Sequence, residues 1–401
     1  MDQNYVPLRT VNDKNTPPYL YPRALVKQLN IANRTANPDK NDFTLILNNF
    51  KPKNNNETSS STSQEYGRKI IHEMIHGMGF VTQLKLTELK KEEIKSEMKE
   101  KRIGNEDVID KANFTDIENL KVLPSRVFYF DDDDFEELDS LDKFEKAYEN
   151  SKFIGFSPLT IFTKNIVDIN TKKYLFENSG FLYQELNSCF NVGSVSLQDY
   201  EKASIEDCFN SLKGSTKDLI SSLTKNYFFK HKSLGFLTSD GQVIPLQTFD
   251  GEFYSGTSID HIDSTNVNSN LHDINPFLSL LLNKDNLQKF LDEEFLMYFT
   301  EFDNFPLKII LDSLLVKNNK HGLIGPGTIN ILKTLGWAEK GENFREEQYY
   351  YADDIQYPTQ NKFKTLLLKE YELSSSAYSI LYPNTTLILY LIAIFLLFLF
   401  F

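Results

Sequence analysis

The chain has 401 residues and carries 43 Lys plus Arg against 56 Asp plus Glu, a formal net charge of −13. So acidic a balance argues against a nucleic-acid partner, because phosphate backbones are gripped by clustered Lys and Arg. Hydrophobic residues make up 40% of the chain, enough for a sizeable core, and two cysteines, Cys189 and Cys208, exclude a disulfide scaffold while permitting one bridge.

Residues Met1 to Pro18 hold charges and prolines and no apolar run, so no secretory signal peptide is visible there. The apolar run from Phe43 to Phe50 (FTLILNNF) reads as a strand, and the polar stretch from Lys51 to Ser63 as a loop. A helix follows. Thr62 and Glu65 stand at capping-box spacing, Ile71, Met74, Ile75 and Met78 repeat with the helical period, and Gly77 and Gly79 close it. From Leu84 to about Leu120, Lys and Glu dominate, which predicts an exposed, charge-laced helical insertion. The run Asp131 to Asp134 lacks the spaced glycine and carbonyl ligands of a calcium loop. Short strands and turns are expected between Phe153 and Lys173 and again from Gly241 to Gly256, with mainly helical text from Leu186 to Thr224. Leu278 to Leu315 holds at least two helical patterns, and a last helix, Thr328 to Trp337, ends at Gly336. The mixture predicts an α+β fold.

The chemistry concentrates in His72-Glu73-Met74-Ile75-His76 on the first predicted helix. Residues four apart share a face, so both imidazoles can reach one ion while Glu73 addresses a water held there. The expected mechanism has zinc acidify its water, Glu73 take the proton as general base, and the hydroxide attack a polarised carbonyl. Chance supplies only about 0.006 such patterns in a chain of this composition. A catalytic zinc needs a third protein ligand. In the extended pattern HExxHxxGxxH the glycine position is Gly79, but the last position is Thr82, so the ligand comes from elsewhere. His231 in the basic run KHK reads as a surface residue, and His321 sits in a predicted loop. His261 lies in GTSIDHID, where Gly256 and small hydroxyl residues allow close backbone approach; His272 is its main rival. Tyr254 is the nearest sequence candidate for an oxyanion donor.

HEMIHGMGF (His72 to Phe80), GTSIDHID (Gly256 to Asp263), EFLM (Glu294 to Met297) and GPGTINILKTLGW (Gly325 to Trp337) together resemble a family of secreted zinc metalloprotease-like proteins. That family is distantly similar to the leishmanolysin-type metzincins. The resemblance spans about residues 43 to 337. It implies a zincin-like fold, with a small twisted sheet and active-site helix, a charged insertion, and a helical C-terminal subdomain. It carries the third zinc ligand onto His261 and the methionine beneath the metal onto Met297. Where the family has small serines around this ligand, the chain has Thr257 and Asp260. The activity implied is zinc-dependent cleavage of protein or peptide substrates; the alternative is a catalytically inactive surface or adhesion protein that keeps the scaffold.

The C-terminus points to a membrane. Every residue from Leu387 to Phe401 is apolar, and those fifteen residues would rise only about 22 Å as a helix, short of a roughly 30 Å hydrocarbon core. Ser374, Ser375 and Ser376, a mostly uncharged spacer and this tail have the layout of a GPI-attachment signal. A tail anchor and a buried helix are the competing readings. The GPI reading predicts an extracellular, lipid-anchored protein, a start upstream of Met1, and glycosylation at Asn33, Asn56, Asn113 or Asn384. The expected organisation is an N-terminal segment (1–17), a catalytic domain (18–340) with its insertion at about 84–150, a linker (341–373) and the attachment signal (374–401).

Overall fold

In a computed structural model, the residues described are 2–3, 5–10, 17–31, 43–44, 59–88, 120–129, 152–177, 180, 182–189, 195–196, 205–251, 253, 257–264, 291–299, 307–316, 323–338, 348–352 and 365–366. Alternating apolar residues near both ends of the chain build one sheet. Tyr5–Thr10 pairs antiparallel with Tyr19–Pro22 on one side and with Gln348–Tyr351 on the other, and Gln348–Tyr351 also runs parallel to Asn30–Ile31. Val6, Leu8 and Tyr349 are buried, and the Tyr21 and Tyr349 rings meet edge to face at 5.6 Å. The stretches expected as an N-terminal segment and a linker therefore both contribute strands to the body of the protein. The alternate burial of Val6 and Leu8, with Tyr349 buried on the paired strand, outweighs the charged residues around them.

A second four-stranded sheet has the order Val195–Ser196, Lys152–Phe156, Arg126–Tyr129 and Thr365–Leu366. A three-stranded antiparallel sheet joins Ile166–Asp168, Leu234–Leu237 and Val243–Pro245. Helices and small, mostly antiparallel sheets together make an α+β protein. The predicted strand at Phe43 is described only over Phe43–Thr44, where it pairs with Asp2–Gln3.

The charged segment departs from expectation at its ends. Leu84–Glu88 and Leu120–Pro124 are not helical but form an antiparallel ladder. Leu84, Leu86, Leu120 and Val122 all pack on the core, so alternation of apolar side chains, not the Lys/Glu content between them, decides the structure here. With Arg126–Tyr129 also a strand, the body of the protein takes residues 84–88 and 120–129 of the span expected as an insertion. Residues 89–119 and the acidic run Asp131 to Asp134 lie outside the described residues.

Leu182–Cys189 and Ile205–Ser211 are helices joined by a disulfide between Cys189 and Cys208, whose Cα atoms are 5.3 Å apart. Gly214–Leu223 continues as helix into a π-turn at Thr224–Phe228. Later helices are Leu307–Val316 and Pro326–Leu335, the second starting two residues ahead of the predicted Thr328 because Pro326 suits a first helical turn. One buried cluster runs from Leu8 and Leu25 through Ile75, Phe80, Phe162 and Phe236 to Met297 and Leu335.

Candidate metal centre

The helix bearing the motif spans Ser59–Gly77. It begins three residues before Thr62, so Thr62 lies inside the helix and is not its cap. Ile75 is fully buried, and Ile71 and Met78 pack partly against the core, which fixes the helix by one face. Its end is a Schellman turn: Phe80 N–H donates to the Ile75 carbonyl (3.3 Å) and Gly79 N–H to that of His76 (2.9 Å), with Ile75 and Phe80 buried beneath. Gly79 has φ +108°, and a Cβ there would stand 2.7 Å from Pro22 Cγ, so both its conformation and its surroundings require glycine.

That turn reaches the site. The Phe80 carbonyl accepts a hydrogen bond from His76 Nδ1 at 2.7 Å. The Leu296 carbonyl accepts one from His72 Nδ1 at 2.5 Å, and the Thr257 carbonyl one from His261 Nδ1 at 3.1 Å. A carbonyl only accepts, so each Nδ1 carries the proton and each neutral ring turns an Nε2 lone pair inward. His72 Nε2 lies 3.1 Å from His76 Nε2 and 3.3 Å from His261 Nε2, and the candidate ligand atoms of all three lie within 4.8 Å of one another. Lone pairs this close repel unless a cation lies between them. Three nitrogens at the usual zinc distance in tetrahedral geometry would be roughly 3.3 Å apart, so the spacing fits a metal ion. The rings of His72 and His261 are within 25° of parallel, and His76 stands at 79° and 77° to them. Burial lowers the His72 pKa below 6.5, against the opposing pull of the Leu296 hydrogen bond, which favours the neutral ring a metal needs.

His261 is therefore in the cluster predicted for it. Its loop is stitched on both sides: Gln247 N–H donates to the His261 carbonyl (2.8 Å), Ile259 N–H to that of Gln247 (2.7 Å), and Ile262 N–H to that of Met297 (2.9 Å). A bridge from Leu246 to Ile262 extends the three-stranded sheet to this loop. Phe80 stacks on Phe162, and Phe162 meets Phe236 at a tilt of 33°, each pair 4.9 Å between centroids. The aromatic row links the end of the motif helix to the three-stranded sheet that reaches the His261 loop. Glu73 lies between the two helical histidines in sequence, partly buried, and its charge bears on His72. Met297 is fully buried in the turn Phe295–Met297, whose Leu296 carbonyl orients His72.

Several features were not legible in advance. His231 is not a surface residue: its Nε2 lies 3.2 Å from Oδ1 of the buried Asp263, two residues past His261, and its side chain is only 11% exposed. Thr82 donates to the Asp260 carboxylate. The Glu294 carboxylate receives the N–H groups of Gly327 and Thr328 and the Thr328 hydroxyl, capping Pro326–Leu335. Burial pushes that carboxyl upward against these bonds. Side chains at Gly325 or Gly327 would collide with it, which accounts for the small residues of the GPG text. Trp337 Nε1–H donates to the Met78 carbonyl at 2.8 Å, bracing the far end of the motif helix. The EFLM and GPGTINILKTLGW segments are thus parts of one support around the helix. His272, His321, Tyr254, the four sequons, Ser374, Ser375, Ser376 and the apolar tail lie outside the described residues. Among the described residues, no helix is long and apolar enough to cross a membrane.

Residues 7–354 match the SPBPB7E8-like family. The match covers most of the chain, which belongs to that family. No curated protein and no solved structure matches it.

Proposed function

We propose that this member of the SPBPB7E8-like family is a zinc-dependent metallopeptidase of zincin-like fold that cleaves proteins or peptides outside the cell. The observation that carries the reading is the convergence of the His72, His76 and His261 Nε2 atoms, each ring backed by a carbonyl on Nδ1. Such backing sets the tautomer and raises ligand basicity. Three imidazoles suit zinc and leave a fourth position open. A zinc ion held there would supply Lewis-acid chemistry, acidifying water and polarising a carbonyl. Glu73 is the general base: next to His72 on the helix, it takes the proton of the attacking water and returns it to the leaving amine. Met297 is the methionine of the turn beneath the ligands, as the resemblance to leishmanolysin-type metzincins implies.

The disulfide between Cys189 and Cys208 suits an oxidising compartment, in keeping with secretion and a C-terminal lipid anchor. Metal analysis of the purified chain, with peptide-library cleavage in the presence and absence of chelator, tests the reading. The expected results are one zinc per chain and chelator-sensitive cleavage. Glu73→Gln should keep the zinc and lose at least about 100-fold in rate, the usual contribution of a general base. His261→Ala should lose the metal. Zinc without cleavage would favour a surface protein that keeps only the scaffold, and a chain that takes up no zinc overturns the proposal.

A further inference from the structure

Thr82 stands six residues after His76, where the extended motif would place a third histidine. It cannot serve as an imidazole ligand, yet it is 1% exposed and committed to the ligand loop. Its backbone N–H donates to Asp260 Oδ1 at 2.7 Å and its hydroxyl to the same oxygen at 2.8 Å. Asp260 immediately precedes His261. The loop needs such an anchor, because Ile259 has φ +63°, a left-handed conformation that a β-branched residue adopts only under constraint. Ile259 is also 1% exposed, so the strained residue is held between the core and its N–H bond to the Gln247 carbonyl, with Gln247 N–H bonded to the His261 carbonyl two residues on.

We propose that Thr82 and Asp260 are a positioning pair that delivers His261 to the metal. The position that would supply a ligand in the extended motif instead grips the neighbour of a ligand arriving 179 residues later. This rests on the metal reading above, with one further claim: metal affinity depends on the Thr82–Asp260 contact. Two donors on one carboxylate oxygen fix the Asp260 side chain relative to the end of the motif helix. The backbone then carries that register one residue on, to the His261 ring.

The test uses the full chain and Zn²⁺, with affinity read by competition against a chromophoric chelator and geometry read from the absorption spectrum of the Co²⁺-substituted protein. Thr82→Val and Asp260→Ala should each weaken zinc by about 10–100-fold, the usual cost of removing a group that orients a ligand. Both should also lose intensity in the tetrahedral Co²⁺ bands. Thr82→Ser, which keeps the hydroxyl, should bind as the parent does. The double variant should bind no more weakly than Asp260→Ala alone, because the two side chains act as one unit. Stability gives a second readout: a merely structural contact lowers the melting temperature equally with and without zinc, whereas a positioning pair shrinks the increment that zinc adds. If Asp260→Ala fails to fold, Asp260→Leu, close in shape and without an acceptor, decides the question together with Thr82→Val. Unchanged zinc affinity and Co²⁺ spectrum in folded variants would overturn the pair while leaving the metal site intact; a parent chain that binds no zinc would overturn both.

Discussion

At the scale of single residues, the site depends on atoms that face away from it. Each histidine of the cluster is set by a carbonyl on its far nitrogen, and these carbonyls come from a helix cap, a loop and a 3₁₀ turn. The cap is the most exposed to a small change. Gly79→Ala would force an L residue into a left-handed conformation and drive its Cβ against Pro22. We expect a loss of about 1–3 kcal/mol in denaturant unfolding, together with weaker metal binding as the Phe80 carbonyl shifts from His76. An alanine variant as stable as the parent would show that the turn relaxes without cost.

At the scale of elements, Glu294 joins the turn beneath His72 to the N-terminus of Pro326–Leu335. Glu294→Ala would strand two buried N–H groups and a hydroxyl, at a cost of about 1–3 kcal/mol. Thermal unfolding measures it, and a shift within error of zero would argue that water replaces the carboxylate. The three-stranded sheet carries an acid-sensitive turn. Partial burial works to raise the Asp168 pKa, but the N–H groups of Asn170 and Thr171 and the Tyr227 hydroxyl outweigh it and hold it below 3.8. A carboxyl depressed on folding adds stability that is full above its unfolded pKa and lost as pH falls through its folded value. The melting-temperature advantage of the parent over Asp168→Asn should therefore be present at about pH 7 and shrink below about pH 4; a constant difference would sink the assignment.

At the scale of the whole molecule, the two ends of the described body close on each other, because Gln348–Tyr351 fills the gap between Tyr5–Thr10 and Asn30–Ile31. A chain ended after residue 373 should stay folded, whereas one ended after residue 347 loses that strand, and Thr365–Leu366 with it, and should aggregate or resist proteolysis poorly. Equal protease resistance of the two would mean that the sheet survives without its central partner. The disulfide acts more locally, tying Leu182–Cys189 to Ile205–Ser211, and its reduction should cost about 2–4 kcal/mol without touching the histidines.

The sequence alone determined the motif helix, the core contacts of Ile71, Ile75 and Met78 but not of Met74, and its glycine exit, because a helix fixes the spacing of its own side chains and four residues are about one turn. It also singled out His261, through a resemblance, as the candidate third ligand that lies beside His72 and His76. Tertiary structure decided what local periodicity cannot encode. The Lys/Glu-rich segment begins and ends in strands because Leu84, Leu86, Leu120 and Val122 find partners across a ladder. Residues near both termini, which read as a leading segment and a linker, become neighbouring strands because each covers the other's open edge. His231 turns inward to a carboxylate 32 residues away, and Thr82 meets Asp260 across 178. Such contacts join segments remote in the chain, so only the packed core brings together the three imidazoles that one helix could supply only in part.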